Sequence, residues 1–63
     1  MFVLRRTSDG KFVADMRKSR DGSSYTRDLL QARIFDTKEA AEHDRCPGNE
    51  VVRRVEELLK GGL

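Results

Sequence analysis

The chain has no tryptophan, one histidine, one cysteine and one proline, and each scarcity closes off a class of protein. A lone cysteine forms no internal disulfide, so a stapled secreted scaffold is excluded and a cytoplasmic setting is expected. No apolar run approaches the roughly 20 residues of a membrane helix. Met1-Phe2-Val3-Leu4 runs straight into Arg5-Arg6, so neither a membrane span nor a secretory segment is expected. Apolar residues make up 37% of the 63 positions against 38% charged, and the four aromatics are Phe2, Phe12, Tyr25 and Phe35. A chain of this size buries only about 60% of the surface its unfolded form exposes. That supports one small domain over 1–63, without a deep substrate cleft.

Charge is present but unevenly placed. Residues 1–33 hold eight Lys/Arg against four Asp, a balance of +4, whereas residues 34–63 hold five against seven acids, a balance of −2. Such a field can steer a charged partner toward one face, and two differently solvated halves give the same pattern.

Strand-like runs at 2–7 and 11–18 flank Ser8-Asp9-Gly10, a hairpin signal because glycine accepts the positive φ of the turn. A three-residue loop pairs Arg6 with Phe12, Leu4 with Ala14 and Phe2 with Met16. That register gathers Phe2, Leu4, Phe12, Ala14 and Met16 on one face. Val3, Arg5, Thr7, Lys11, Val13, Asp15 and Arg17 then form a solvated, mildly basic opposite face. Residues 19–24 carry only loop-forming side chains. Tyr25-Thr26 adds a short extended piece, 28–32 reads as one helical turn, and 33–35 as a short strand. Asp36 is the expected cap of a helix over 37–45, with Glu39 placed to complete a capping box and Ala40-Ala41 as its apolar stripe. Residues 50–59 carry two signals. Val51, Val52, Val55, Leu58 and Leu59 have the spacing of a helix face, while three valines in five residues favour a strand.

The succession Tyr25-Thr26-Arg27-Asp28-Leu29, Ala32-Arg33-Ile34-Phe35, Thr37, Ala40-Ala41-Glu42, then Cys46-Pro47 and Asn49-Glu50-Val51-Val52 resembles small uncharacterised proteins encoded by phages and prophages. With Phe2-Val3-Leu4 and Gly10 to Ala14, the likeness covers most of the chain. It implies a small α+β domain whose last piece, 50–56, is a strand. It implies no activity, and its setting implies a protein that binds and modulates a host macromolecule. A second similarity, from Phe35 to Glu42, is to the hybrid-binding domain at the N-terminus of some ribonucleases H. That family's aromatic contact residues have no counterpart here.

Catalytic groups are sparse. His43, between Glu42 and Asp44, is expected to be a surface histidine, and none of Ser8, Ser19, Ser23 and Ser24 sits in a Gly-x-Ser-x-Gly elbow. His43 and Cys46 have a metal-compatible spacing, but two further Cys or His ligands are lacking. Cys46 is expected as a half-buried filler beside the Pro47-Gly48 turn. Gly22 alone builds no phosphate cradle. No enzyme activity, cofactor, metal or small-molecule substrate is therefore expected.

The basic residues Arg5, Arg17, Lys18, Arg20 and Arg27, together with Tyr25, are the candidate binding residues. Such a group can contact nucleic acid through phosphate neutralisation and stacking, contact a protein, or solvate loop ends. The expected architecture is α+β: a small antiparallel sheet of the 2–7/11–18 hairpin, 33–35 and 50–56, packed by one helix 37–45. Its expected core is Phe2, Leu4, Phe12, Ala14, Met16, Leu29, Ile34, Phe35, Ala40, Ala41, Val52 and Val55. The expected function is a non-enzymatic protein-interaction module, with nucleic-acid binding on the same basic surface as the alternative.

Overall fold

A computed structural model describes residues 1–61 of the chain. Strands β1 (Phe2–Arg6), β2 (Phe12–Val13), β3 (Tyr25–Thr26) and β4 (Glu50–Arg54) form an antiparallel sheet in the order β3-β2-β1-β4. A single 3₁₀ turn (Leu29–Gln31) and helices α1 (Lys38–Asp44) and α2 (Val55–Gly61) complete an α+β domain. Its radius of gyration is 10.8 Å, close to the roughly 10.6 Å of a compact chain this long.

The hairpin forms at its expected place, but with a longer loop and the opposite register. Arg5, not Arg6, faces Phe12. The Arg6 N–H donates to the Lys11 carbonyl and the Gly10 N–H to the Arg6 carbonyl, which closes a loop of Thr7 to Gly10. Asp9 sets this loop by accepting the Lys11 N–H (3.0 Å) and the Arg6 Nε (3.1 Å), while Gly10 takes φ +75°.

One residue of slip exchanges faces along the whole of β2. Phe2, Leu4 and Val13 now share a face with Phe35, Ala41 and Val52, and this is the core under α1. Val3, Phe12 and Ala14 belong to the second face. Val3, expected on a solvated face, is fully buried there. The expected register assumed that only one face of the sheet needed cover; both have it.

The 11–18 run is a strand only at 12–13. Asp15 ends it, because its carboxylate accepts the Arg17 N–H (2.9 Å) and its carbonyl takes the N–H groups of Lys18 and Ser19. Met16 therefore sits on a turn, 62% exposed, and is not core. In place of a strand at 33–35, the 32–35 segment makes two isolated bridges. Ala32, fully buried, bridges to Ala14, and Phe35 exchanges both backbone hydrogen bonds with Phe2. It takes the position beside β1 that β2 vacates at Asp15.

Helix α1 lies within the expected span but is capped one residue later. Thr37, in extended geometry, accepts the Ala40 N–H (3.1 Å), so Asp36 lies outside the helix. Of the two alanines, Ala41 is buried and Ala40 exposed, which lets the helix backbone approach the sheet on one side only. Residues 50–61 realise both signals in succession. Val51 and Val52 pair with β1, and at Val55 the chain turns directly into α2, with Glu56 and Glu57 in its first turn and Lys60 in its last. The Met1 ammonium holds Glu56 at 2.8 Å and ties this helix start to the beginning of β1.

Candidate functional site

Three surfaces collect the chemistry-bearing side chains. The first is the polar end of the α1 face. Alternation from Leu4 places Arg6 on this face, and pairing places Glu50 opposite it. Across β2, Tyr25 joins them. The Arg6 guanidinium stacks over the Tyr25 ring at 3.9 Å, and the Tyr25 hydroxyl donates to Glu50 Oε2 at 2.6 Å. Glu50 is almost fully buried, and its Oε1 accepts the Cys46 N–H at 3.1 Å. The bond to Glu50 pushes the Tyr25 hydroxyl above its ordinary pKa, with desolvation adding to the effect. Arg6 in turn holds the Asp9 carboxyl well below the usual carboxylate range.

This end is closed upon itself. Tyr25 has one ring face covered by a guanidinium and its hydroxyl engaged, so it serves as a structural tie and offers no open stacking platform. Cys46, expected half-buried, is exposed, because the turn contributes its backbone N–H to Glu50 and turns the side chain outward.

The second surface comprises two adjoining hollows that share Arg27. One, on the second face of the sheet, is lined by Arg5, Phe12, Arg27, Leu29, Arg53, Glu57 and Leu58. The register explains it: odd-numbered Arg5 and Arg53 flank Val3 on the face where Phe12 emerges. The Arg5 Nε donates to the Gly10 carbonyl at 3.1 Å, and its guanidinium carbon lies 6.0 Å from the Phe12 ring centre. The other hollow runs along β3, where Lys11, Arg20 and Arg27 meet Tyr25, Thr26 and Asp21.

The third surface is a tip formed by two turns. Asp28 caps the 3₁₀ turn by accepting the Leu30 N–H (2.9 Å), and it also accepts from the Gln31 side chain (3.2 Å). The Asp15 N–H donates to the Gln31 carbonyl at 2.9 Å, setting Met16 and Leu30 at neighbouring positions of the joined segments. Both are exposed, Leu30 by 84%.

The six candidate binding residues therefore divide. Arg20, Arg27 and Tyr25 meet at one hollow, and Arg5 joins Arg27 at the other. Arg17, 91% exposed, leans on Asp15 at 3.4 Å, and Lys18 follows it on the same turn beside Met16. Arg53 and Leu30 escaped the sequence reading. The signal for Leu30 is the Leu29-Leu30 pair itself, since adjacent residues on one helical turn cannot both face inward. Arg53 has no local signal; only its pairing with Val3 brings it to the groove. His43 is exposed on the last turn of α1, as expected, and no group of three His, Cys, Asp or Glu side chains suited to a metal occurs among the described residues.

Among the described residues no helix is long and apolar enough to cross a membrane. No family model matches the chain, and neither a curated protein nor a solved structure matches it.

Proposed function

We propose that the chain is a non-enzymatic protein-interaction module that docks through the Met16–Leu30 tip. The carrying observation is Leu30: a leucine 84% exposed on a turn fixed by Asp28 and Gln31. Exposed apolar residues scattered singly need no explanation, but Met16 and Leu30 lie on turns joined by the Asp15–Gln31 hydrogen bond, where one partner can cover both. Arg17 and Lys18 follow Met16, so the partner surface is an apolar depression with an acidic rim. The resemblance to small phage and prophage proteins read from the sequence motivates a host protein as the proposed partner. Cys46 is an exposed free thiol, which suits a reducing cytoplasm.

Affinity capture with wild type, Leu30→Ala and the double variant Arg17→Ala/Lys18→Ala tests this reading. The expected result is a retained protein that Leu30→Ala loses and the double variant holds more weakly, with the thermal transition of Leu30→Ala unchanged. Identical retention by wild type and Leu30→Ala removes the tip as the docking surface.

A further inference from the structure

Nine of the chain's residues are arginines. Five of them hold a carboxylate within 4.0 Å: Arg6 with Asp9, Arg17 with Asp15, Arg33 with Asp44, Arg45 with Glu42, and Arg54 with Glu57. The other four, Arg5, Arg20, Arg27 and Arg53, have no such partner among the described residues. All four line the two hollows that meet at Arg27. The uncompensated guanidinium charge of the protein is thus gathered on one track, across the second sheet face and along β3.

We propose that this track binds single-stranded nucleic acid, with phosphates on Arg5, Arg20, Arg27 and Arg53 and a base against Phe12. A guanidinium offers a planar fork of donors that matches phosphate. The bond from Arg5 Nε to the Gly10 carbonyl aims its fork and leaves the outer N–H groups for a ligand. Phe12, half-buried, lines the same hollow as Arg5, Leu29 and Leu58 and supplies a ring of the kind on which bases stack. Two carboxylates, Glu57 and Asp21, line the hollows among the four arginines and reduce the charge of the track without cancelling it. Glu57 leans toward Arg54 at 3.8 Å, and Asp21 is engaged by Ser19 and the Ser23 N–H. Four guanidiniums beside one apolar ring fit a strand that offers several phosphates together with an unstacked base. An acidic peptide carries the charge without the rings, and a duplex keeps its bases stacked away from Phe12.

Leu29 and Gln31 line the track but Met16 and Leu30 do not, so variants at Leu30 and at Arg27 let either reading fail without the other. Fluorescence anisotropy of the full chain with a labelled oligothymidylate of about 12 nucleotides tests the track. Four phosphate contacts on a single strand predict that log K falls with log salt at a slope of about −2.8, or about 50-fold between about 50 and 200 mM. Arg27→Ala, at the junction, should bring the slope to about −2.1 and weaken binding several-fold. Phe12→Leu should weaken it roughly five-fold or more with the slope unchanged. Lys38→Ala, the same loss of charge off the track, should change neither. Absence of binding at low salt, equal losses in Arg27→Ala and Lys38→Ala, or tighter binding of duplex would overturn the proposal. So would displacement of the oligonucleotide by oligoglutamate at equal charge, which would assign the track to an acidic protein. Arg27 is exposed, so its variant tests the track even where Phe12→Leu disturbs folding.

Discussion

Glu50 shows how one buried side chain decides the character of a surface. Its carboxylate satisfies the Tyr25 hydroxyl and the Cys46 N–H, and through them joins β4 to the edge strand β3 and to the turn after α1. Replacing it by alanine leaves two part-buried donors without their partner, at a cost of about 1–3 kcal/mol of stability in urea unfolding. Tyr25, the chain's one tyrosine, reports the same bond spectroscopically. Its hydroxyl is raised above the ordinary value of about 10, first by the hydrogen bond to Glu50. A group raised on folding contributes stability that is fully present below its unfolded pKa and lost as pH rises through the folded one. Ultraviolet titration of the phenolate should therefore give a midpoint above that of the unfolded chain, and Glu50→Ala should bring it back. An unshifted wild-type midpoint would show that the bond does not persist in solution.

At the scale of elements, what was legible in the sequence was what local chemistry specifies. The 28–32 turn, the hairpin turn at Gly10 and the helix near 37–45 each rest on side chains within a few residues of one another. The cap of α1 shows the limit of that reading. Asp36 and Thr37 are both good caps, and nothing local separates them. The exchange of hydrogen bonds between Phe35 and Phe2 fixes where the chain leaves the sheet, and the cap falls two residues beyond, at Thr37. Thr37→Ala should therefore cost about 1 kcal/mol, and Asp36→Ala close to nothing, in parallel thermal melts. Comparable losses in both would place the cap at Asp36.

The candidate site was less legible than the fold for a related reason. The arginines are plain in the sequence, but which of them are neutralised is not. Arg17 and Asp15 are two residues apart, whereas Arg33 finds Asp44 only because the 32–35 segment and α1 lie side by side. Removing the compensated arginines from consideration is what isolates Arg5, Arg20, Arg27 and Arg53.

For the whole molecule, the decisive quantity is the number of covered sheet faces. A single covered face calls for Phe2, Leu4, Phe12 and Ala14 together. Two covered faces allow the register in which Phe2 and Leu4 lie under α1 while Val3, Phe12 and Ala14 lie on the other side. Val3 separates these cases energetically. Val3→Thr keeps the shape but buries a hydroxyl and should cost about 1–3 kcal/mol in urea unfolding. Val51→Thr, at a strand position 41% exposed, should be near neutral.

The register itself bears on every surface described, since it puts Arg5 and Phe12 beside Arg53 and leaves Arg6 to Tyr25 and Glu50. In an antiparallel pair the non-hydrogen-bonded partners bring their Cα atoms to about 4.5 Å, close enough for a strong Hα–Hα nuclear Overhauser effect. The hydrogen bond from Arg6 to Lys11 makes Arg5 and Phe12 such a pair. Two-dimensional NMR of the chain in heavy water should show that cross-peak between Arg5 and Phe12. A spectrum that instead places Phe12 opposite Arg6 would return Arg5 to the other side of the hairpin and contradict the arginine track together with the two-faced sheet.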